Sequence, residues 1–261
     1  MVSAPVLEAQ QVGMTFDRGT SREVIAFRDI TFALRQGEII SIVGPSGCGK
    51  STLFNVIAGL LRPTTGCVKV DGVEVDGARG HVGYMLQKDL LLPWRSVLDN
   101  VMLGLEVRGI APAEARQRAL SLIQRYGLAG FESARPKALS GGMRQRVAFM
   151  RTLALDPQAI LLDEPFSALD FQTRLILQGD VKRIIREQHK AAILVTHDIG
   201  EAIAMSDRVL VLSRRPGTIK AIHDIDLGSL TDPGAMRRSP AFNETFDMIW
   251  REMDGHTQMT A

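Results

Sequence analysis

The sequence predicts an α/β fold with a parallel-sheet core, a small antiparallel β portion and a helical insert. Three observations carry that expectation. Short apolar runs ending in Gly, Asp or His alternate with longer stretches of helical period, as buried parallel strands joined by helices do. A glycine-rich loop from Gly44 to Ser51 stands between one such run and a helix-like stretch. Further along, Ala111 to Tyr126 concentrates Ala, Arg, Glu, Gln and Leu, all strong helix formers.

The clearest strand-like runs are Ile39 to Val43, Ile160 to Leu162 and Ala192 to Val195. Thr52 to Leu61 reads as the helix leaving the glycine-rich loop. Thr65 to Asp76 alternates β-branched residues with Gly and Asp, a pattern of strands joined by turns, and Val82 to Leu86 is also strand-like. Pro112 and Gly127 punctuate the Ala111 to Tyr126 stretch as start and stop signals, which places a helical insert over about residues 90–155. Pro233, Gly234 and Pro240 then precede Ala241 to Met253, a short amphipathic helix on a tail expected to dock loosely. The chain divides into a main domain, residues 5–228, and a C-terminal tail, residues 229–261. No internal repeat or low-complexity segment is visible.

Composition narrows the function classes. The chain of 261 residues is long enough to bury roughly three quarters of its unfolded surface. Its 31 basic and 29 acidic residues leave a net charge of +2, without the basic excess of a protein that grips a phosphate backbone, so nucleic acid is not an expected partner. Cys48 and Cys67 fit neither a zinc site nor a disulfide framework, and read as unpaired small hydrophobes in a reducing, cytosolic setting. No apolar run approaches the ~18 residues of a spanning helix, and Met1 to Val12 lacks the pattern of a secretory signal.

The strongest local signal is Gly44-Pro45-Ser46-Gly47-Cys48-Gly49-Lys50-Ser51, with Thr52 continuing into the helix. Glycines let the backbone curl so that successive N–H groups face phosphate oxygens, and the helix N-terminus adds partial positive charge. Lys50 is placed to bridge the β- and γ-phosphates of ATP and Ser51 to ligate Mg²⁺. A second element, Ala159 to Pro165, delivers Asp163 and Glu164 to the C-terminal end of a buried strand, the edge at which open α/β sheets bind ligands. Asp163 suits Mg²⁺ and Glu164 suits the base that polarises an attacking water. Standing alone, an Asp-Glu pair is more often a solvated turn; behind a phosphate loop it is read as catalytic.

Neither element separates the classes of phosphate-loop ATPases. The stretch Leu139-Ser140-Gly141-Gly142-Met143-Arg144-Gln145-Arg146 resembles the signature motif of the ATP-binding cassette family, and with it the chain resembles a phosphate-loop ABC cassette from about Phe16 to Leu212. Ser140 is suited to cap a helix whose first N–H groups, with Gly141 and Gly142, face a γ-phosphate. The resemblance implies that this phosphate belongs to the opposite protomer of a homodimer, closed by ATP and reopened by hydrolysis. It further implies that Gln87 approaches Mg²⁺ and the attacking water, that His197 is the switch histidine at the γ-phosphate, and that Ser167-Ala168-Leu169-Asp170 carries coupling between protomers. Phe16 falls where the family stacks an aromatic ring on adenine, with Phe27 as a competitor.

Val82 to Asp89, Leu92-Pro93-Trp94-Arg95-Ser96-Val97, Asp99-Asn100-Val101 and Arg214-Arg215-Pro216-Gly217 resemble the importer ATPases for nitrate, sulfonates, taurine and similar solutes, although Leu86 departs from the usual Phe. That resemblance implies a permease dimer in the membrane, a separate solute-binding protein outside and a chain bound to the cytoplasmic face of the plasma membrane. Trp94 is then read either as part of the surface facing the permease or as buried core. A soluble cassette acting on DNA or ribosomes is the rival, but such relatives carry two cassettes or a long coiled-coil insertion. A phosphotransferase would leave the signature at Leu139 to Arg146 unexplained.

Overall fold

Alternation along the central strands sets the architecture. In a computed structural model, which describes residues 4–75, 77, 82–227 and 233–254, Ile39, Ile160, Leu162, Ala192 and Leu194 point to one side of a sheet. Their neighbours Ile40, Ile42, Ala159, Leu161, Ala191, Ile193 and Val195 point to the other. A strand with both faces apolar must be covered on both, and period-two geometry divides its residues between two cores.

The chain begins with β1 (Leu7–Phe16), β2 (Val24–Leu34) and β3 (Ile39–Val43), followed by α1 (Lys50–Ile57). Next come β4 (Thr65–Val70), β5 (Val73–Glu74) and β6 (Val82–Met85). Helices α2 (Val97–Val107), α3 (Pro112–Arg125) and α4 (Gly141–Leu153) precede β7 (Ala159–Asp163), α5 (Phe171–Glu187) and β8 (Ala191–Val195). The chain continues through α6 (Ile199–Met205), β9 (Arg208–Leu212), β10 (Ile219–Asp224), α7 (Pro233–Arg238) and α8 (Pro240–Asp254).

Two sheets result: β2-β1-β4-β5, with antiparallel pairings, and β10-β9-β3-β8-β7-β6, parallel except for β10 against β9. The second sheet is the parallel core. Register aligns its C-terminal ends, since Val43 pairs with Val211, Ile42 and Asp163 both pair with Val195, and Leu162 pairs with Met85. Everything that follows β3, β6, β7 and β8 therefore emerges along one edge.

Helices α2, α3, α4 and α5 bury Val101, Leu105, Ile123, Val147 and Val181 against one face, while α1 inserts Leu53, Phe54 and Ile57 between the two sheets. Ser96 starts α2 with a capping box, its hydroxyl accepting from the Asp99 amide at 3.1 Å, a contact worth about 1 kcal/mol.

Several sequence expectations change in detail. The helix after the loop starts at Lys50 and ends at Ile57, shorter than the Thr52 to Leu61 stretch, because Gly59 takes a left-handed turn with φ 73°. The strands expected within Thr65 to Asp76 are β4 and β5, with Asp76 outside the described residues. Trp94 is 68% exposed, which removes it from the core.

The tail departs most. Residues 228–232 and 255–261 lie outside the described residues, but α8 buries Phe242 and Ile249 against Ile199 and Ile203 of α6 and Val209 and Val211 of β9. It is docked, not loose, because its apolar face covers one face of β9 and a side of α6 that would otherwise remain open. Among the described residues no helix is long and apolar enough to cross a membrane.

Candidate functional site

Gly44 leaves β3 into the glycine-rich loop, and Gly49 caps α1 with φ 103°, a conformation few other residues adopt. A Cβ at Gly49 would also stand 3.1 Å from Phe27 Cδ1 and Ala26 O, so the loop rests directly on β2. Pro45, Ser46 and Gly47 arch outward while Cys48 is buried beneath them. Lys50 folds back across the arch, its ammonium donating to the carbonyls of Gly44 at 2.7 Å and Pro45 at 3.1 Å. Ser51 and Thr52 follow in the first turn of α1, with Ser51 exposed.

Beside this loop, β7 ends in Asp163, whose carboxylate is pushed above its ordinary range chiefly by burial. The Tyr84 hydrogen bond pulls it back, Glu164 raises it further and the Lys50 ammonium lowers it. The hydroxyl of Tyr84, on neighbouring β6, donates to Asp163 Oδ2 at 3.3 Å. Glu164 sits at φ 44°, a left-handed turn that costs a non-glycine residue on the order of 1 kcal/mol or more. That turn is pinned by the Glu164 amide donating to Val195 O at 2.9 Å, which ties the end of β7 to the end of β8.

Of the three residues expected to act around the γ-phosphate, Gln87 and His197 converge on one oxygen of the third, Glu164. Gln87 Nε2 donates to Glu164 Oε2 at 3.0 Å, and His197 Nδ1 stands 3.3 Å from the same oxygen. Gln145 on α4, 4% exposed, directs its amide to the backbone oxygen of Gln87 at 3.5 Å.

Ser140, Gly141, Gly142 and Asp170 gather separately on α4 and α5. Ser140 caps α4 by accepting from the Met143 amide at 3.3 Å, and Asp170 caps α5 by accepting from the Thr173 amide at 3.1 Å. Backbone and side-chain hydrogen bonds from Thr173 hold the exposed Asp170 carboxyl below its usual range. A Cβ at Gly142 would lie 2.6 Å from Thr173 Cγ2, so the first turns of the two helices meet there. Arg144 pairs with Asp89 at 3.1 Å and donates to Leu139 O at 2.9 Å, which joins the signature turn to the segment after Gln87.

Phe16 is exposed at the end of β1. Phe27 is fully buried beneath Gly49, so its ring is not available to stack on a nucleotide, which removes it as a competitor. Sequence reasoning gave Tyr84, Asp89, Arg144 and Gln145 no role; the signal for Tyr84 was a polar hydroxyl on a strand flanking the two acids.

The sequence profile of the ABC transporter family matches residues 27–167. The chain belongs to the ABC transporter family. It is 49% identical over 231 residues to an uncharacterized ABC transporter ATP-binding protein of Bacillus subtilis, covering 88% of each chain. With a taurine import ATP-binding protein of a Jannaschia species it shares 38% identity over 265 residues, 98% of this chain and 99% of that one. Among solved structures, the ATP-binding cassette MJ0796, a dimer in a post-hydrolysis state bound to ADP and Pi, superposes with a TM-score of 0.73 at 31% identity over 84% of this chain and 99% of that one. CbiO1 of Clostridium perfringens, at 23% identity, shares the fold with a TM-score of 0.76 over 98% of this chain and 96% of that one. As a member of this family the chain is an ATPase, converting ATP and water to ADP and phosphate.

Proposed function

We propose that the chain is the ATP-hydrolysing subunit of an importer for a small solute of the nitrate, sulfonate or taurine kind. The observation that carries the chemistry is the convergence of Gln87 and His197 on Glu164 Oε2, at the sheet edge where the loop at Gly44 to Ser51 also opens. Glu164 accepts the proton of a water whose oxygen attacks the γ-phosphorus as the bond to the bridging oxygen breaks. Gln87 and His197 hold that carboxylate in place, with His197 at the γ-phosphate.

The loop from Gly44 through Thr52 cradles the phosphates, and Lys50 exchanges its carbonyl partners for phosphate oxygens. Phe16 stacks on the adenine. Mg²⁺ fits the donors present: the Ser51 hydroxyl, the Asp163 carboxylate and the Gln87 amide oxygen are hard oxygen ligands, and the Gln87 nitrogen is already engaged with Glu164. The ion would neutralise charge on the phosphate oxygens.

Residues 5–228 form the cassette, with the helical insert over about residues 90–155, and residues 229–261 form the tail. Ser140, Gly141, Gly142 and Asp170 serve the nucleotide of a second copy, so the working unit is a homodimer; dimeric MJ0796 supports this reading. A permease accepts its motion, since hydrolysis moves an equilibrium only through contacts that differ between states. Exposed Trp94 lies on the face expected to meet the permease. A solute-binding protein on the far side of the membrane supplies the solute, and this chain works at the cytoplasmic face. Similarity to taurine import ATP-binding proteins supports the direction of transport and the class of solute. Coexpression with neighbouring permease genes followed by a membrane pull-down tests the assignment. Recovery of the chain with its permease is the expected result; recovery only with ribosomes or DNA would overturn it.

A further inference from the structure

The first helix of the C-terminal tail, α7, packs against the first turn of α6, the helix that directly follows His197. Asp198 caps this helix, accepting from the Glu201 amide at 3.0 Å, while its own amide donates to Thr196 Oγ1 at 3.0 Å. His197 is 64% exposed and touches Glu164 at 3.3 Å. With so little packing around its ring, its direction depends on the backbone between Thr196 and Asp198.

Two guanidinium groups from different elements close on that turn. Arg174 of α5 stands 3.6 Å from Asp198 Oδ2, and its Nη2 donates to Leu169 O at 3.0 Å, which ties the turn to the loop before α5. Arg237 of α7 arrives from the tail. A Cβ at Gly200 would stand 2.9 Å from Arg237 Nη1, so the absence of a side chain there leaves the space this guanidinium occupies. Its carbon lies 5.9 Å from the centroid of the Phe242 ring, and Phe242 with Ile249 anchors the tail in the core around α6.

The seam is poorly designed for stability alone. Glu201 is 3% exposed with Oε1 unpartnered, and Arg174 Nε, Arg237 Nε and both amide atoms of Gln178, one turn along α5, are also buried without partners. Among the described residues only Gln145 Oε1 shares that condition elsewhere. A half-satisfied polar network costs more than an apolar one of the same shape, and in some proteins charged groups kept at such a cost fix geometry or act as a switch.

We infer that Arg237 is a positioning residue for ATP hydrolysis: by seating its guanidinium on the Asp198–Glu201 turn, the C-terminal tail fixes His197 beside Glu164. The inference rests on the assignment of His197 to the γ-phosphate. Arg174 holds the same turn from the side of Leu169, so the histidine is braced between the loop that precedes α5 and the tail. Arg237 touches no reacting atom, and its effect passes through the backbone of α6.

The purified full-length chain tests this with Arg237→Met, Arg237→Lys and Gly200→Ala, scored by kcat, KM, nucleotide affinity and melting temperature. A misplacement of about 1 Å can cost roughly a hundredfold in rate, so a shift of half that size corresponds to about tenfold. Arg237→Met should therefore lower kcat by about that factor with KM and affinity unchanged, Arg237→Lys should recover most of it, and Arg237→Met should add nothing in a His197→Ala background. Gly200→Ala, whose Cβ would stand 2.9 Å from the guanidinium and 3.2 Å from Asp198 Oδ1, leaves the tail's core untouched; it should give a smaller loss of kcat that Arg237→Lys, with its slimmer head, reduces, and it serves if Arg237→Met does not fold. Wild-type kcat with a lowered melting temperature would reduce Arg237 to an anchor and overturn the inference, as would an undiminished loss in the His197→Ala background. Wild-type kcat in His197→Ala alone would instead overturn the assignment of His197, and the inference with it.

Discussion

Gln87 and Glu164, 77 positions apart in the chain, share a hydrogen bond of 3.0 Å, and His197 Nδ1 stands 3.3 Å from the same carboxylate oxygen. Replacing Glu164 by Gln keeps the shape and removes the proposed proton acceptor. Glu164→Gln should lower kcat by about two to four orders of magnitude, the range of general-base catalysis, while ATP affinity is kept. With ATP the variant should elute as a dimer on gel filtration. Hydrolysis at the wild-type rate would take Glu164 out of the base role.

Lys50 spends its ammonium on two backbone carbonyls at 2.7 and 3.1 Å, contacts that a phosphate outcompetes through charge. Lys50→Ala should weaken ATP binding by about 2 kcal/mol, roughly thirtyfold in Kd by calorimetry. Equal affinity would contradict the phosphate contact.

Much of this site was legible in the sequence because its residues follow strand ends, and a buried parallel strand announces its end by breaking an apolar run. Gly44, Asp163 and His197 were located that way, and the fold class came from the same runs. Tyr84 was not, because its role depends on β6 lying beside β7, a pairing across the chain. The end of α1 was misplaced since Leu60 and Leu61 continue the apolar pattern after Gly59 has already turned the backbone. The docking of α8 was equally hidden: an amphipathic helix shows that it has an apolar face, not what covers that face.

Tyr84 stands edge-on to Phe54, with ring centroids 5.9 Å apart, and its phenol is pushed up by burial first and by the charge and hydrogen bond of Asp163 next. Tyr84→Phe keeps the ring packing and leaves Asp163 without its donor. Stability should fall by about 1 kcal/mol in urea unfolding. The Mg²⁺ concentration for half-maximal hydrolysis should also shift, because the carboxylate loses its fixed direction. A variant identical to wild type in both would show that the 3.3 Å contact orients nothing.

Glu201 offers a test by pH. Burial raises its carboxyl to about 8, Asp198 adds to the shift, and Arg174, the Thr196 hydrogen bond and Arg237 pull it back. Since the folded state then binds a proton more tightly than the unfolded chain, this group's contribution is fully present below its unfolded value of 4.5 and is lost as pH rises through about 8. Wild-type stability should therefore fall from pH 5 toward pH 8 more steeply than that of Glu201→Gln, by up to about 1.4 kcal/mol per pH unit where the two states differ by one proton. Glutamine imitates the protonated acid and has no proton to lose, so the two chains should diverge in favour of the variant as pH approaches 8. Urea midpoints measured across that range decide it: parallel curves would mean that the carboxyl is already ionised at neutral pH, held so by Arg174 and Arg237.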